Sequence, residues 1–152
     1  MRRGEKEVKD RVEIDAILRA ARVLRLGLVD GGEPYVVPLC FGYDGRSLYF
    51  HCARAGRKLD LLRLNPLVCF EVDELERVVE GTEACRWGVA YRSVIGTGAA
   101  AILDDREEKR KGLGIVMRQY SEGEHRFADQ ELDRTFVVRI DVRSVSGKKS
   151  PA

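Results

Sequence analysis

Gly56-Arg57-Lys58 opens a predicted two-turn helix directly after the strand that carries His51 and Cys52. Cations at a helix start oppose the macrodipole, at roughly 0.3–1 kcal/mol each. An anion sharing the spot would repay that cost, because free backbone N–H groups, a glycine and a basic pair suit a phosphate. Solvated surface charges are the other reading, and the residues alone leave both open. His51 projects from its strand opposite to Leu48, Phe50 and Cys52; such a histidine is ordinarily exposed or satisfied, yet it can also exchange a proton near neutral pH. A third group gathers an aromatic, a cation and a hydroxyl within seven residues: Trp87, Tyr91, Arg92 and Ser93. Trp87 reads either as core packing or as a flat wall for a ring ligand.

Several chemistries are excluded by pattern. The chain has no GxSxG elbow, no HExxH and no GxxxxGK[ST] loop. Gly96 and Gly98 lack the strand–turn–helix context of a phosphate loop and read better as bends or bulges in a long strand. Cys40, Cys52, Cys69 and Cys85 form no CxxC or CxxxC pair, so no metal site is expected. Three of them fall in apolar strand-like runs, as reduced thiols in a cytoplasmic protein would.

The elements that must position these residues follow from periodicity. A first helix is expected over Asp10 to Ala21, with Asp10 and Glu13 at capping-box spacing and Ile14, Ile17, Leu18 and Ala21 as its stripe. Strands follow at Val23–Val29 and Tyr35–Tyr43, joined by an Asp-Gly-Gly-Glu turn. Pro38 interrupts the second, which places it at an edge or bulge and leaves backbone groups free for a ligand. Strands at Ser47–Cys52 and Leu67–Val72 flank the short helix Arg57–Arg63. Glu74 to Glu83 reads as a polar loop, and a strand resumes from Arg86. A helix capped by Asp104 or Asp105 runs to about Tyr120, with Leu113, Val116 and Met117 on its apolar face. A polar loop over Ser121–Asp133 holds His125, and Thr135–Val142 closes the pattern. The whole is expected to be one mainly β domain over residues 1–152, a six-stranded antiparallel barrel with flanking helices. Residues 1–9 and 144–152 are expected as tails.

The 152 residues carry 27 cations against 25 anions, a net charge of +2. That balance argues against nucleic acid or an anionic membrane as partner. No apolar run approaches the roughly 18 residues of a membrane span. The charged start MRRGEKEVKDR has no apolar segment behind it and does not read as a secretory signal.

The run VVPLCFGYDGRSLYFHCARAGRKLDLLRLNP, followed by VCFEVD and WGVAYRSVIGTG, resembles the pyridoxamine 5′-phosphate oxidase-like FMN-binding split barrels. Within them it is most similar to the nitroimidazole-resistance flavoproteins, and the similarity spans nearly the whole chain. The resemblance implies a homodimer with one FMN per subunit at the interface. It implies that Arg57 and Lys58 hold the phosphate, with Arg92 and Ser93 contributing. Val37, Pro38 and Leu39 would offer backbone groups to the ring edge, and Phe50, His51, Cys52 and Ala53 would lie along it. Trp87 would cap the ring, from the partner subunit. His51 would be the catalytic or substrate-contacting residue, and Cys52, where relatives often have serine, an inert thiol. The implied activity is an FMN-dependent oxidoreductase that takes electrons from a reduced donor and reduces a small organic acceptor. Relatives that oxidise pyridoxamine phosphate carry further C-terminal sequence; a chain ending at Ala152 is not expected to oxidise vitamin B6. The alternative from another class is a non-catalytic flavin- or haem-binding module, with His51 and His125 as the only imidazoles for iron. A deazaflavin user ranks below both.

Overall fold

The computed structural model describes residues 4–150 and is mainly β, with helices packed on one antiparallel sheet. In chain order the elements are β1 (Glu7–Val8), α1 (Arg11–Ala20), β2 (Leu24–Asp30), β3 (Glu33–Leu39), β4 (Gly42–Tyr43) and β5 (Ser47–Cys52). Then come α2 (Arg57–Leu64), β6 (Leu67–Val79), β7 (Gly88–Leu103), α3 (Arg106–Arg118), α4 (Asp129–Arg134) and β8 (Phe136–Ser150). The sheet order is β3-β2-β6-β7-β8-β5-β4, with β1 added beside β8. Six strands were expected; the sheet has eight, the two additional ones being the dipeptides β1 and β4.

The order leaves two edges. One is β3, which pairs only with β2 and carries Pro38 opposite Arg25, where its missing N–H breaks no ladder. The expected strand Tyr35–Tyr43 is thus two: the chain leaves β3 at Leu39 and re-enters as β4, with Phe41 fully buried between them. The other edge is β4 and the end of β5. β4 pairs with Leu48 and Tyr49 only, so His51 and Cys52 have a ladder neighbour on one side, Val137 and Phe136 of β8.

The main core lies between the sheet and α1 and α2, around Leu24, Leu26, Phe41, Phe50, Phe70 and Ile140. A second, smaller cluster sits under α3 and α4, around Tyr49, Leu113, Val116, Leu132 and Val137. Asp10 caps α1 by accepting from Val12 N at 3.0 Å. Glu13 makes no reciprocal cap and instead accepts from Lys149 Nζ at 2.7 Å. At the other end of α1 the buried Gln119 amide donates to the carbonyls of Leu18, Arg19 and Ala21 at 2.9, 3.0 and 2.8 Å. It satisfies carbonyls that a helix terminus leaves without partners.

Three expectations about loops and tails are corrected. The polar segment from Glu74 continues β6 to Val79, because Arg92 on β7 neutralises its acids, at 2.8 Å from both Glu74 and Glu76. The polar stretch before Thr135 contains α4, held by the fully buried Leu132 and by Glu131, which accepts from Ala128 N at 2.9 Å. Neither expected tail is free: residues 144–150 are extended but paired, since β8 runs beside β7 to the pair Tyr91↔Ser150, and Glu7 and the buried Val8 of β1 pair with Lys148 and Gly147. Residues 1–3 and 151–152 of the expected tails lie outside the described residues. Gly98 stands at a register shift between β7 and β8, where a Cβ would lie 2.6 Å from Ile140 Cγ2 and 2.8 Å from the Asp141 carbonyl oxygen. No helix among the described residues is long and apolar enough to cross a membrane.

Burial, with the hydrogen bond to Asp15, pushes the Tyr43 phenol from its ordinary 10.0 up to about 12. Its hydroxyl donates to Asp15 and accepts from Arg11, both at 2.8 Å. A phenol that ionises later in the folded than in the unfolded chain contributes fully below pH ~10 and loses that contribution as the pH rises toward 12. Urea titrations of Tyr43→Phe should therefore show a shallower fall in stability than the unsubstituted protein between pH 10 and 12. Equal slopes would place the alkaline sensitivity elsewhere.

Candidate functional site

The two edges of the sheet approach one another at a cavity of about 220 Å³ lined by Tyr35 of β3, Cys52 of β5, Ala53, Ala55, and Gly56 to Leu59. Gly56 is the N-cap of α2, with φ of 137°, a conformation that side chains rarely adopt. It supplies no side-chain cap, and its carbonyl accepts from Leu59 N at 2.9 Å and Asp60 N at 3.3 Å. The N–H groups ahead of these, at the first turn, are the ones a helix start leaves for a ligand.

The two cations differ in their commitments. Arg57 donates to Asp30 at 2.7 Å and lies 4.5 Å above the Tyr35 ring. Lys58 is half-buried, with its ammonium 5.3 Å from the centre of the Phe50 ring and no carboxylate partner among the described residues. Burial raises the Cys52 thiol and Lys58 opposes that shift only partly, so Cys52 rests as a neutral thiol. Backbone N–H groups, an uncommitted ammonium and a guanidinium in one concave place form a donor set that fits a phosphate.

The expected site residues divide into three groups. Cys52, Ala53, Arg57 and Lys58 line the cavity together, with the fully buried Phe50 beneath Lys58. Val37, Pro38 and Leu39 follow Tyr35 along the β3 edge; Val37 and Leu39 turn toward the core and Pro38 away from it. Tyr35, Ala55 and Leu59 are lining residues that sequence reasoning missed; for Tyr35 the available signal was its position on the inward face of that strand.

His51 lies elsewhere. Successive strand residues face opposite ways, so it points from Cys52's strand into a separate cavity of about 240 Å³. Leu113, Val116 and Met117 of α3, Phe127, Glu131 and Thr135 form the rest of that lining. His51 and the Gly56–Leu59 cavity share only the open edge of β5. His125 borders a third cavity with Gly114, Arg118 and Arg126, so the two histidines do not line one pocket.

Trp87, Arg92 and Ser93 do not join the Gly56–Leu59 cavity within one chain. Ser93 pairs with Asp73, two residues beyond Glu71, whose partner Arg25 is five residues from Asp30. That separates Ser93 from the Asp30–Arg57 contact by ~23 Å of strand at about 3.3 Å per residue. Arg92 is already committed to Glu74 and Glu76. Trp87 is 54% exposed at the far end of the β6–β7 hairpin, which also exposes Leu75, Val78 and Val89.

The profile of the pyridoxamine 5′-phosphate oxidase family matches residues 10–149. A solved structure from Bacteroides thetaiotaomicron, provisionally named a 5-nitroimidazole antibiotic resistance protein, is 30% identical with a TM-score of 0.85, covering 94% of this chain and 86% of that one. A FAD-binding protein from Mesorhizobium loti is 26% identical with a TM-score of 0.71, over 96% of this chain and 98% of that one. A FAD and heme binding protein from Mycobacterium smegmatis shares the fold, with a TM-score of 0.88 at 22% identity over 97% of this chain and 74% of that one. An uncharacterized protein of Rhizobium meliloti is 31% identical over 67 residues, so the chain spans 44% of the length of that curated relative.

Proposed function

The chain belongs to the pyridoxamine 5′-phosphate oxidase family, and from that premise we propose that it is an FMN-dependent oxidoreductase acting on a small organic acceptor. One observation carries the reading: both sheet edges and the start of α2 converge on a cavity with a phosphate donor set. Lys58, Arg57 and the first-turn N–H groups hold the phosphate, Tyr35, Cys52 and Ala53 flank the chain that follows it, and the β3 edge at Val37–Leu39 meets the ring. Bound there, a flavin supplies two-electron transfer between a reduced donor and the acceptor, chemistry that no side chain offers.

The residues of this chain supply binding, orientation and protons. A cavity of about 220 Å³ is smaller than the ~300–1,000 Å³ of complete ligand sites, which supports completion by a second copy. In a homodimer, the hairpin carrying Trp87, Arg92 and Ser93 reaches the partner's phosphate cavity. The exposed Leu75, Val78 and Val89 on that hairpin are the apolar surface such a contact covers. The acceptor meets the flavin at the open edge of β5, where the two cavities adjoin, and reaches into the His51 cavity. Engineered cavities of ~150 Å³ take benzene, so about 240 Å³ takes a substituted single ring. The α3 wall shields one side of the acceptor, and the imidazole donates a hydrogen bond or proton to the acceptor's oxygen. Nitroaromatic rings suit this site and agree with the name of the Bacteroides neighbour.

The two histidines border different cavities, which disfavours a bis-histidine haem site within one chain. Anaerobic reduction of the FMN-loaded protein with dithionite, followed by a nitroimidazole, tests the function. Rapid return of the oxidised flavin spectrum with loss of the nitro absorbance is expected. A flavin that stays reduced until air is admitted would refute the acceptor class.

A further inference from the structure

Around Phe136 the fold collects more positive charge than one phosphate accounts for. Phe136 pairs with Cys52 across β8 and β5, so it neighbours the phosphate cavity. Three cations surround its ring: the guanidinium carbons of Arg54 and Arg63 stand 5.6 and 5.7 Å from its centre, and Lys109 Nζ 5.9 Å. Arg54 donates to the Asp133 backbone oxygen at 3.1 Å, and the buried Lys109 to the Leu132 carbonyl. Among the described residues neither has a carboxylate partner; the nearby Asp133 carboxylate is held by Arg106 at 2.7 Å. Only Arg63 has one, Asp60 at 3.4 Å. Cations gathered this closely repel one another, and contact with an aromatic face offsets only part of that.

The spacing extends away from the phosphate cavity. Arg63 lies six residues along α2 from Arg57, ~9 Å at about 1.5 Å per residue. Arg54 lies ahead of α2, in the loop whose Ala53 and Ala55 line the cavity, and meets Arg63 at the Phe136 ring. A ligand touching Arg57, Arg54 and Arg63 is therefore longer than a phosphomonoester and is anionic at more than one point. Guanidinium planes also stack on flat rings and bind phosphate in two-pronged fashion.

We propose that Arg54, Arg63 and Phe136 form a second subsite, which binds the phosphate and base of an adenosine nucleotide beside the flavin phosphate cavity. The proposal rests on the flavin reading above and deepens it. Two ligands carry this chemistry: the adenylate half of FAD, and a nicotinamide adenine dinucleotide phosphate serving as the electron donor.

The test uses the full chain stripped of flavin and titrated separately with FMN, FAD and NADPH, alongside the double variant Arg54→Gln/Arg63→Gln. The double variant should lose at least tenfold in affinity for FAD or for NADPH while its FMN affinity stays within threefold. Loss for FAD alone identifies the cofactor's second half; loss for NADPH alone identifies the donor. Arg54→Lys/Arg63→Lys should recover part of the loss. In the unsubstituted protein, added salt should weaken the adenosine ligand more steeply than FMN, a readout that needs no variant. Unchanged affinity for both adenosine ligands, or equal loss for all three, overturns the proposal. Variant-sensitive NADPH binding by a protein that does not take FMN would instead overturn the flavin phosphate reading and leave this subsite standing.

Discussion

Lys58→Ala is expected to raise the dissociation constant for FMN by roughly 10- to 100-fold, or ~1.4–2.8 kcal/mol, with little change in thermal stability. Among the described residues Lys58 is the half-buried cation of the cavity without a carboxylate partner, so its charge is available to the phosphate. A hydrogen bond to a charged group is worth ~1.5–3 kcal/mol, which sets the size of the effect. Stability is spared because an ammonium near the start of a helix opposes its dipole at about 0.3–1 kcal/mol, close to what its contact with the Phe50 face returns. Arg57→Ala acts differently, because it removes a cation and also uncovers Asp30, now 2.7 Å from the guanidinium. The pair Arg57→Ala/Asp30→Asn should therefore bind FMN more tightly than Arg57→Ala alone. Fluorescence titration of the flavin-free variants measures all three. A Lys58→Ala protein that binds FMN as well as the unsubstituted one would remove the phosphate from this cavity.

His51→Ala is expected to lower turnover of a nitroaromatic acceptor by about 100-fold, at the lower end of what a positioned acid–base group contributes, while FMN affinity stays within threefold. The separation follows from the strand: His51 faces the cavity beneath α3, and Cys52 faces the cavity at Gly56–Leu59. Removing the imidazole leaves every phosphate contact in place. Steady-state kinetics with FMN saturating, paired with a flavin titration of the same preparation, distinguishes the two effects. Undiminished turnover would end a chemical role for His51, and a parallel loss of FMN would make it a cofactor ligand.

Much of the fold was legible because its signals are local. The stripe Ile14–Ile17–Leu18 gave α1, the pair Asp104-Asp105 marked the start of α3, and alternation around Leu24–Leu28 and Leu48–Phe50 gave β2 and β5. The errors share a cause. Glu74 and Glu76 read as loop because their neutralising partner, Arg92, is far along the chain. The strand character of residues 144–150 comes from pairing with β7, and a short polar helix such as α4 exists because Leu132 and Lys109 anchor it. At the site, Gly56-Arg57-Lys58 announced itself through charges placed against a helix dipole. Tyr35 did not, since nothing local says that β3 curves round to meet β5. The same limit applied to His51, where strand alternation showed the opposite direction but not the α3 wall that waits there.

The claim on which the rest depends is that a flavin phosphate binds at Gly56-Arg57-Lys58. Its most direct measurement is the visible spectrum of freshly purified protein, followed by mass identification of what heat denaturation releases. Absorption bands of an oxidised flavin and release of FMN or FAD are the predicted result. A colourless protein that also fails to take up added FMN or FAD would contradict the account, and release of haem or a deazaflavin would contradict its choice of cofactor.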